Sequence, residues 1–237
     1  MNKGMRFFLF WMITSVFLTG CAYPKDKLAQ NQTPYQDQVT SVQAAVDQFQ
    51  EDNGGILPIK TNENDTPIYQ KYLIDFKKIA PKYMAEPPGN AYESGGIFQY
   101  VLIDVETNPT VKIFDLRIAE TIRDINLRIK MQKYPPYKEQ LSRNVFTLDF
   151  TKLGFKEDPV ATSPYTNQDL PFVITGDGEV YIDYQKDLYQ ILQKEQPKLE
   201  AGEDIREILY EDSLFVPAYS LPYTLDPITN EPIFLTH

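Results

Sequence analysis

One segment of the chain occurs twice in related form, and this echo constrains the fold more than any other feature. The segment YLIDFKKI at residues 72–79 matches FTLDFTKL at residues 146–153, with aspartate, phenylalanine and lysine at equivalent places. Each copy follows an apolar helical stripe and precedes a proline-rich turn. We therefore interpret residues 39–115 and 116–185 as two related α+β units, unit 1 and unit 2. The alternative is a chance similarity of two α+β segments.

Each unit begins with a predicted helix. The apolar residues of the two helical stripes recur at steps of three and four: Val39, Val42, Val46 and Phe49 in unit 1, and Ile118, Ile122, Ile125 and Ile129 in unit 2. Gly54 and Pro58 predict the end of the first helix, and Pro135 with Pro136 predicts the end of the second.

Each unit ends in two β-rich runs around turn residues. The turn is Asn108-Pro109 in IFQYVLIDVETNPTVKIFD and Asp177-Gly178 in LPFVITGDGEVYID, and the second is typical of a tight hairpin. A single two-stranded hairpin is only marginally stable in water. We therefore predict that both hairpins join in one antiparallel sheet with both helices on one face, which makes the fold class α+β.

Residues 186–237 form a third region, which we predict to hold C-terminal helices and an extended arm. The runs QKDLYQILQKEQ and LEAGEDIREILYED are helical in pattern. Prolines then recur at 217, 222, 227 and 232, which excludes a helix there. The apolar residues between these prolines favour an arm packed on its own domain over a polyproline ligand segment.

The first 21 residues predict where the chain is located. Lys3 and Arg6 precede a twelve-residue, mostly apolar run that is shorter than a membrane-spanning helix, which is the pattern of a secretory signal. The run ends in Leu18-Thr19-Gly20-Cys21, which resembles the lipobox of bacterial lipoproteins. The resemblance implies a signal peptide at 1–20, cleavage between Gly20 and Cys21, and a diacylglyceryl group on the Cys21 sulfur. Residues 21–38 would then be a tether. An uncleaved anchor helix with an incidental cysteine is the alternative.

Charge and cysteine content limit the possible functions. From Cys21 onward the chain carries 21 basic and 33 acidic residues, a net charge of −12. An acidic surface of this kind argues against binding to nucleic acid and is expected to repel anionic lipid head groups, although it also simply favours solubility. Cys21 has no second cysteine to pair with inside one chain, so an intramolecular disulfide is excluded.

Few side chains suggest chemistry. The single histidine, His237, is the last residue, so neither a cysteine–histidine pair nor a zinc centre is expected, and we predict no cofactor. Asp75 and Asp149 occupy equivalent places in the two units and could meet. Such a pair could hydrolyse glycosides, or contact Ca²⁺ or a partner. The simpler interpretation is that each aspartate caps the turn that follows it.

Two family resemblances accompany these patterns. LTGCAYP, QNQTPYQDQV, GGILPIKT, TPIYQKY and EPPGN, spread over the first hundred residues, are similar to YphF-like lipoproteins of Gram-positive bacteria. This resemblance implies a membrane lipoprotein with no assigned activity. Unit 1 also resembles the soluble part of pseudopilins and pilins over residues 39–104, through Asp52-Asn53-Gly54, Pro81, Tyr83 and Phe98-Gln99-Tyr100. The apolar N-terminal helix and the prepilin cleavage site of those proteins are absent, so this resemblance implies a fold and no pilus.

We therefore expect a non-catalytic, lipid-anchored protein on the outer face of the cytoplasmic membrane. It would bind an envelope protein or a wall component, using the duplicated sheet and the C-terminal arm. The alternatives are a cell-wall hydrolase that uses Asp75 and Asp149, and a solute-binding lipoprotein.

Overall fold

The computed structural model describes residues 36–63 and 65–235, so the predicted signal peptide, Cys21, most of the predicted tether and His237 lie outside the described residues. In chain order the helices are α1 (Gln36–Asp52), α2 (Ile68–Lys71), α3 (Phe76–Ile79), α4 (Leu116–Gln132), α5 (Gln185–Glu195) and α6 (Glu207–Tyr210), with a 3₁₀ turn at Tyr92–Ser94. The strands are β1 (Phe98–Ile103), β2 (Thr110–Asp115), β3 (Tyr137–Ser142), β4 (Val145–Leu148), β5 (Val160–Thr162), β6 (Asp169–Thr175), β7 (Val180–Ile182), β8 (Tyr223–Leu225) and β9 (Pro232–Phe234). Helices combined with antiparallel sheets confirm the α+β fold class.

The two long helices start and stop where local sequence directs. α1 and α4 each have 17 residues. α1 is followed by Gly54, whose φ of +65° suits the left-handed conformation that glycine adopts without strain. Asp115 caps the start of α4, and its carboxylate accepts a hydrogen bond from the Arg117 N–H at 2.8 Å. The predicted stripes are the sides that pack inward, with Val42 and Ile125 fully buried.

The same hydrogen bond follows each helix and fixes the start of each repeated segment. The Asp75 N–H donates to the Pro58 carbonyl at 2.7 Å, and the Asp149 N–H donates to the Pro136 carbonyl at 2.9 Å. Both prolines belong to the segment that ends the preceding helix. The echo seen in the sequence is therefore also an echo in the backbone contacts.

The strand pairings repeat as well. Ile59 pairs antiparallel with Ile74 in unit 1, and Tyr137 pairs antiparallel with Leu148 in unit 2. Each repeated segment then pairs antiparallel with the first strand of its hairpin: the segment at Leu73 pairs with β1, and β4 pairs with β6. Both units therefore run outer strand, repeated segment, first hairpin strand and second hairpin strand.

Equivalent hairpin positions form the centre of each core. Tyr100 of β1 lies opposite Ile113 of β2, and Phe172 of β6 lies opposite Ile182 of β7. All four side chains are at most 1% exposed. The two hairpins predicted from Asn108-Pro109 and Asp177-Gly178 are present.

The predicted joint sheet is wrong. β1 and β2 form a sheet of their own, while β3, β4, β6, β5 and β7 form another. Residues 214–219, which we name the arm segment, lie between the two hairpins and form hydrogen bonds with both. Ile113 donates to the carbonyl of Leu214 at 2.9 Å and accepts from the N–H of Val216 at 3.0 Å, and Ile182 donates to the carbonyl of Tyr219 at 2.9 Å.

The physical reason lies in the unpaired edges of β2 and β7. A strand edge carries N–H and C=O groups that need partners when they are buried. The arm segment supplies those partners to both edges, so the edges do not need each other. Its apolar side chains also cover the second face of β1 and β2, in a buried cluster formed by Tyr69, Val101, Ile103, Phe114, Val216 and Ala218.

The C-terminal arm packs on its own domain, as its apolar residues predict. Tyr223, Leu225 and Phe234 are buried, and β8 pairs with β9. The predicted helix in LEAGEDIREILYED shrinks to the four residues of α6. The hairpin of β3 and β4 was not predicted, because β3 reads YKEQLS and has neither a buried apolar row nor clean alternation.

Candidate functional site

Asp75 and Asp149 serve as caps for the turns that follow them. The Asp75 carboxylate accepts a hydrogen bond from the Lys77 N–H at 3.2 Å at the start of α3. The Asp149 carboxylate accepts from the Thr151 hydroxyl at 2.5 Å and lies 3.2 Å from the Lys152 ammonium. The hydrogen bonds from Thr151 and Lys152 lower the pKa of Asp149 below its ordinary value. Both carboxylates stabilise the turn that follows them.

The two aspartates do not form a pair. Each has its hydrogen-bond partners within its own turn, and within residues 36–63 and 65–235 no hydrogen bond or ion pair links them. A carboxylate that acts as general acid needs a raised pKa, whereas that of Asp149 is lowered. The geometry therefore favours the capping interpretation over paired-carboxylate hydrolysis.

Asp75 also lines a cleft in unit 1 of about 750 Å³, which we name the loop cleft. Its walls come from the loop around the cis peptide bond Ala80–Pro81, from Pro87 and from the 3₁₀ turn at Tyr92–Ser94. The Tyr92 side chain is 60% exposed. An apolar floor with an aromatic ring at its rim suits an extended chain, because proline-rich and extended segments dock in aromatic-lined grooves.

Charged side chains surround the loop cleft. Lys60 and Glu93 form an ion pair of 2.7 Å at its edge, and Asp75, Lys77 and Glu86 also line it. Two lysines and three carboxylates line it, so the loop cleft has no strong preference for one sign of charge. Its chemistry is that of a contact surface with a polar rim and an apolar floor.

A second carboxylate cluster is buried in unit 2 and was missed by the sequence reasoning. Asp187 is fully buried, and its oxygens accept hydrogen bonds from the hydroxyls of Ser163 at 2.8 Å and Thr166 at 2.5 Å. Asp183 accepts from the Tyr223 hydroxyl at 2.8 Å and from the Gln185 N–H at 2.8 Å. Burial raises the pKa of both aspartates.

The Asp183 and Asp187 cluster joins the arm to unit 2. Tyr223 belongs to β8, while Ser163 and Thr166 belong to the turn after β5. The local signal for this cluster was the DYQKD run at the start of a helix, where acidic residues cap the first turn. Asp183 also borders a polar cleft of about 400 Å³ that is lined by Gln168, Tyr189, Gln190 and Glu231 among others.

No metal centre emerges among residues 36–63 and 65–235, since no three His, Cys, Asp or Glu side chains there are grouped to hold an ion. The same residues include no helix with the length and apolar character needed to cross a membrane. The lipidation position Cys21 and the cleavage position Gly20 lie outside the described residues, so both stay predictions.

These features define a class: a two-unit α+β protein whose hairpins are bridged by a C-terminal arm, with an open cleft in unit 1. Residues 35–115 match the model of the YphF family N-terminal domain. The expected resemblance to the YphF family is confirmed over this range. The matched range includes α1, the loop cleft and the β1–β2 hairpin. No curated protein and no solved structure matches the chain, and the likeness to pilins stays a prediction.

Proposed function

We propose that this protein is a lipid-anchored, non-catalytic binding or assembly factor on the outer face of the cytoplasmic membrane. Its anchor would be the diacylglyceryl group on Cys21, and its partner an envelope protein or a wall component. The short apolar run and the Leu18-Thr19-Gly20-Cys21 motif support the anchor. Two acyl chains on one cysteine would hold the chain durably on the membrane.

One observation carries the non-catalytic part of the proposal. Asp75 and Asp149, the carboxylates on which the hydrolase alternative rested, accept hydrogen bonds from the turns that they cap. The lowered pKa of Asp149 makes it a poor proton donor near neutral pH. Carboxylates used in this way support a structural role for the repeated segments.

The loop cleft is the contact surface that we assign to the partner. It lies in the range that matches the YphF N-terminal domain, has a volume of about 750 Å³ and exposes the ring of Tyr92 beside Pro81 and Pro87. Clefts of this size, with an apolar floor and a few polar groups, are the usual ligand sites of proteins. An extended strand of a partner protein fits this chemistry better than a small anion does.

Two experiments test the proposal. Growth with a fatty-acid probe should label the wild-type chain and leave Cys21→Ala unlabelled; an unlabelled wild-type chain that stays in the cytoplasm would refute the anchor. A photo-crosslinking residue at Tyr92 should capture a discrete partner in intact cells. The same residue at Ile228, which is 88% exposed and outside the loop cleft, is the control and should capture none. Equal capture at both positions would remove the loop cleft from the proposal.

The hydrolase alternative now depends on Asp183. This residue borders the polar cleft, and burial raises its pKa, as a general acid requires. Its carboxylate, however, already accepts hydrogen bonds from Tyr223 and Gln185. Purified wild-type chain should therefore release no soluble fragments from isolated cell walls. Release that Asp183→Asn abolishes without loss of stability would favour the hydrolase.

A further inference from the structure

The outward side of α4 carries exposed apolar side chains that the fold does not use. Leu127, Met131 and Tyr134 are 56%, 77% and 62% exposed. They follow one another at steps of four and three residues, so they line up along one side of the helix and its end. The inward stripe with Ile118 and Ile125 is a separate side and is buried. α4 is therefore apolar on two sides, although only one packs on the core.

Basic side chains stand among these apolar ones. Arg123 and Lys130 are exposed on the same side of α4, and neither side chain has a hydrogen bond or an ion pair to another residue of the described ranges. Lys133 follows at the end of the helix and is also exposed. Two acidic residues share this side: Glu120, one turn before Arg123, and Asp124, whose carboxylate pairs with Arg128 at 3.1 Å. We name Arg123, Leu127, Lys130, Met131 and Tyr134 the α4 outer face.

The equivalent helix of unit 1 shows that the fold does not require such a face. Both helices have a buried stripe and an opposite, outward side, so their outward sides can be compared. Where α4 places Leu127 and Met131, α1 places Asp47 and Glu51, and both are exposed. α1 presents acidic side chains to the solvent, whereas α4 presents basic and apolar side chains.

A groove continues the α4 outer face toward the repeated segment of unit 2. It has a volume of about 600 Å³ and is lined by Leu127, Met131, Leu153 and Lys152 among others. The Lys152 side chain is 64% exposed on the far rim. Lys152 pairs with Asp149, and Asp124 and Arg128 also line the groove as an ion pair. The apolar surface that extends from the helix across this groove is therefore bordered by ion pairs.

From this combination we infer that the α4 outer face lies on the anionic surface of the lipid bilayer. A helix side with lysine or arginine beside leucine, methionine and aromatic residues is the pattern of a helix that rests in the head-group region. Basic residues near the membrane are attracted to anionic lipids, even though the chain as a whole carries a net charge of −10. The expectation that net charge repels the whole body from the bilayer does not hold for this face.

The inference rests on the proposed lipid anchor, which would keep the body near the bilayer. Only 14 residues, 22–35, separate Cys21 from the first described residue. Fully extended, a segment of that length reaches at most about 50 Å. The folded body is therefore within reach of the surface, and the α4 outer face would orient it.

The test uses the full lipidated chain in vesicles of phosphatidylcholine, with and without phosphatidylglycerol. An environment-sensitive thiol probe is attached at Met131→Cys, and at Glu51→Cys on α1 as the matched position. We expect the Met131 probe to shift to shorter wavelength and lose access to an aqueous quencher severalfold, only in the phosphatidylglycerol vesicles. High salt should reverse both changes. The Glu51 probe should not respond.

Charge variants complete the test. Arg123→Glu with Lys130→Glu should abolish the response of the Met131 probe. Lys194→Glu with Lys198→Glu, which changes two other exposed lysines, should leave it intact. The inference is overturned if the chain is attached to vesicles and the Met131 probe stays in water in both lipid mixtures. It is also overturned if the Met131 probe becomes buried only after an acidic protein is added. Failure of the anchor is seen separately, because an unlipidated Cys21 would itself take the thiol probe and the chain would not stay on vesicles.

Discussion

Unit 1 and unit 2 repeat one hydrogen-bonded frame but present different surfaces. In both, a 17-residue helix ends in a proline segment, an aspartate N–H bonds to the proline carbonyl, and a hairpin follows. In unit 1 the outer strand is the single bridge at Ile59, and β1 is buried at all six positions. In unit 2 the outer strand grows into β3, which is almost wholly exposed. The two units thus share the arrangement of the core and differ on the outside.

The difference follows from what covers each unit. In unit 1 the β1–β2 hairpin lies between α1 and the arm segment, so both of its faces are buried. Unit 2 uses α4, α5 and the β8–β9 hairpin for its core and leaves the outward side of α4 uncovered. Surface residues are constrained less than buried ones, and this is where a new contact can evolve without loss of stability.

The largest expected effect tests whether the two cores are equivalent. Phe172→Ala should destabilise the protein by about 3–5 kcal/mol, because it empties a fully buried ring position, and Tyr100→Ala should do the same in unit 1. Denaturant unfolding followed by circular dichroism measures both. Tyr134→Ala, at a 62% exposed position, is the control and should change stability by less than about 0.5 kcal/mol. Two separate unfolding transitions would show that the arm does not couple the units.

The next effect concerns the hold of the arm on unit 1. The Lys112 ammonium donates to the carbonyls of Tyr210 at 2.7 Å and Ser213 at 2.5 Å, and burial lowers its pKa. Lys112→Ala leaves both carbonyls without this donor, so we expect a loss of about 2–3 kcal/mol. Hydrogen exchange at Ile113 and Val216 should quicken as the arm loosens.

A surface lysine gives the matched comparison. Lys78 donates to the Ile59 carbonyl at 2.7 Å but is exposed, so Lys78→Ala should cost less than about 1 kcal/mol. If both lysine variants lost equal stability, Lys112 would not be a specific tie between β2 and the arm.

The third effect depends on pH and belongs to unit 2 alone. The pKa of Asp187 is raised by burial, so the folded state binds a proton more tightly than the unfolded state does. Stability of the wild type should therefore fall as pH rises above 3.8, the ordinary value of this carboxyl. Asp187→Asn should weaken the fold by about 1–2 kcal/mol through poorer acceptance from Ser163 and Thr166.

The pH profile of Asp187→Asn distinguishes the effect of the Asp187 titration from the effect of its hydrogen bonds. Only the wild type has the titrating group. The difference in unfolding free energy between the wild type and Asp187→Asn should therefore be largest near pH 4 and become smaller toward neutral pH. Unfolding midpoints across this range measure it. A deficit that widens with pH would mean that Asp187 is stabilised in its charged form, against the direction given by its burial.

The smallest effect compares the two caps. Asp75→Ala should cost about 1 kcal/mol through loss of the bond from the Lys77 N–H. Asp149→Ala should destabilise in the same direction, and its contribution should vanish as pH falls below 3.8, because its pKa is lowered in the folded state. Asparagine at either position should restore most of the stability. Loss of partner binding in the asparagine variants, with stability unchanged, would contradict the capping role.

Much of the fold was predictable because it is local. Apolar residues at helical spacing predicted α1 and α4, and the following glycines and prolines predicted their ends. Asp177-Gly178 predicted the β6–β7 turn, where Gly178 has a φ of +87°. The capping role of Asp75 and Asp149 followed from their place before a short turn. In each case the contacts that decide the structure lie within a few residues.

The strand β3 and the buried aspartates were not predictable in the same way. β3 has polar side chains on both faces because it is an exposed edge strand, so it shows no hydrophobic period. Asp183 and Asp187 read as ordinary helix-start acids in the sequence. Their burial depends on Tyr223, Ser163 and Thr166, which lie from 21 to 40 residues away along the chain.

The sequence by itself determined the helices, the hairpins and the repeated segment, because hydrophobic spacing, glycine, proline and caps act over one or two turns of chain. Only the tertiary structure decided how the units meet. The free edges of β2 and β7 could have paired with each other or with any other extended segment, since backbone hydrogen bonds carry no sequence code. Packing of Val216, Ala218 and Tyr219 against the two units placed the arm segment there instead, and it left one side of α4 exposed.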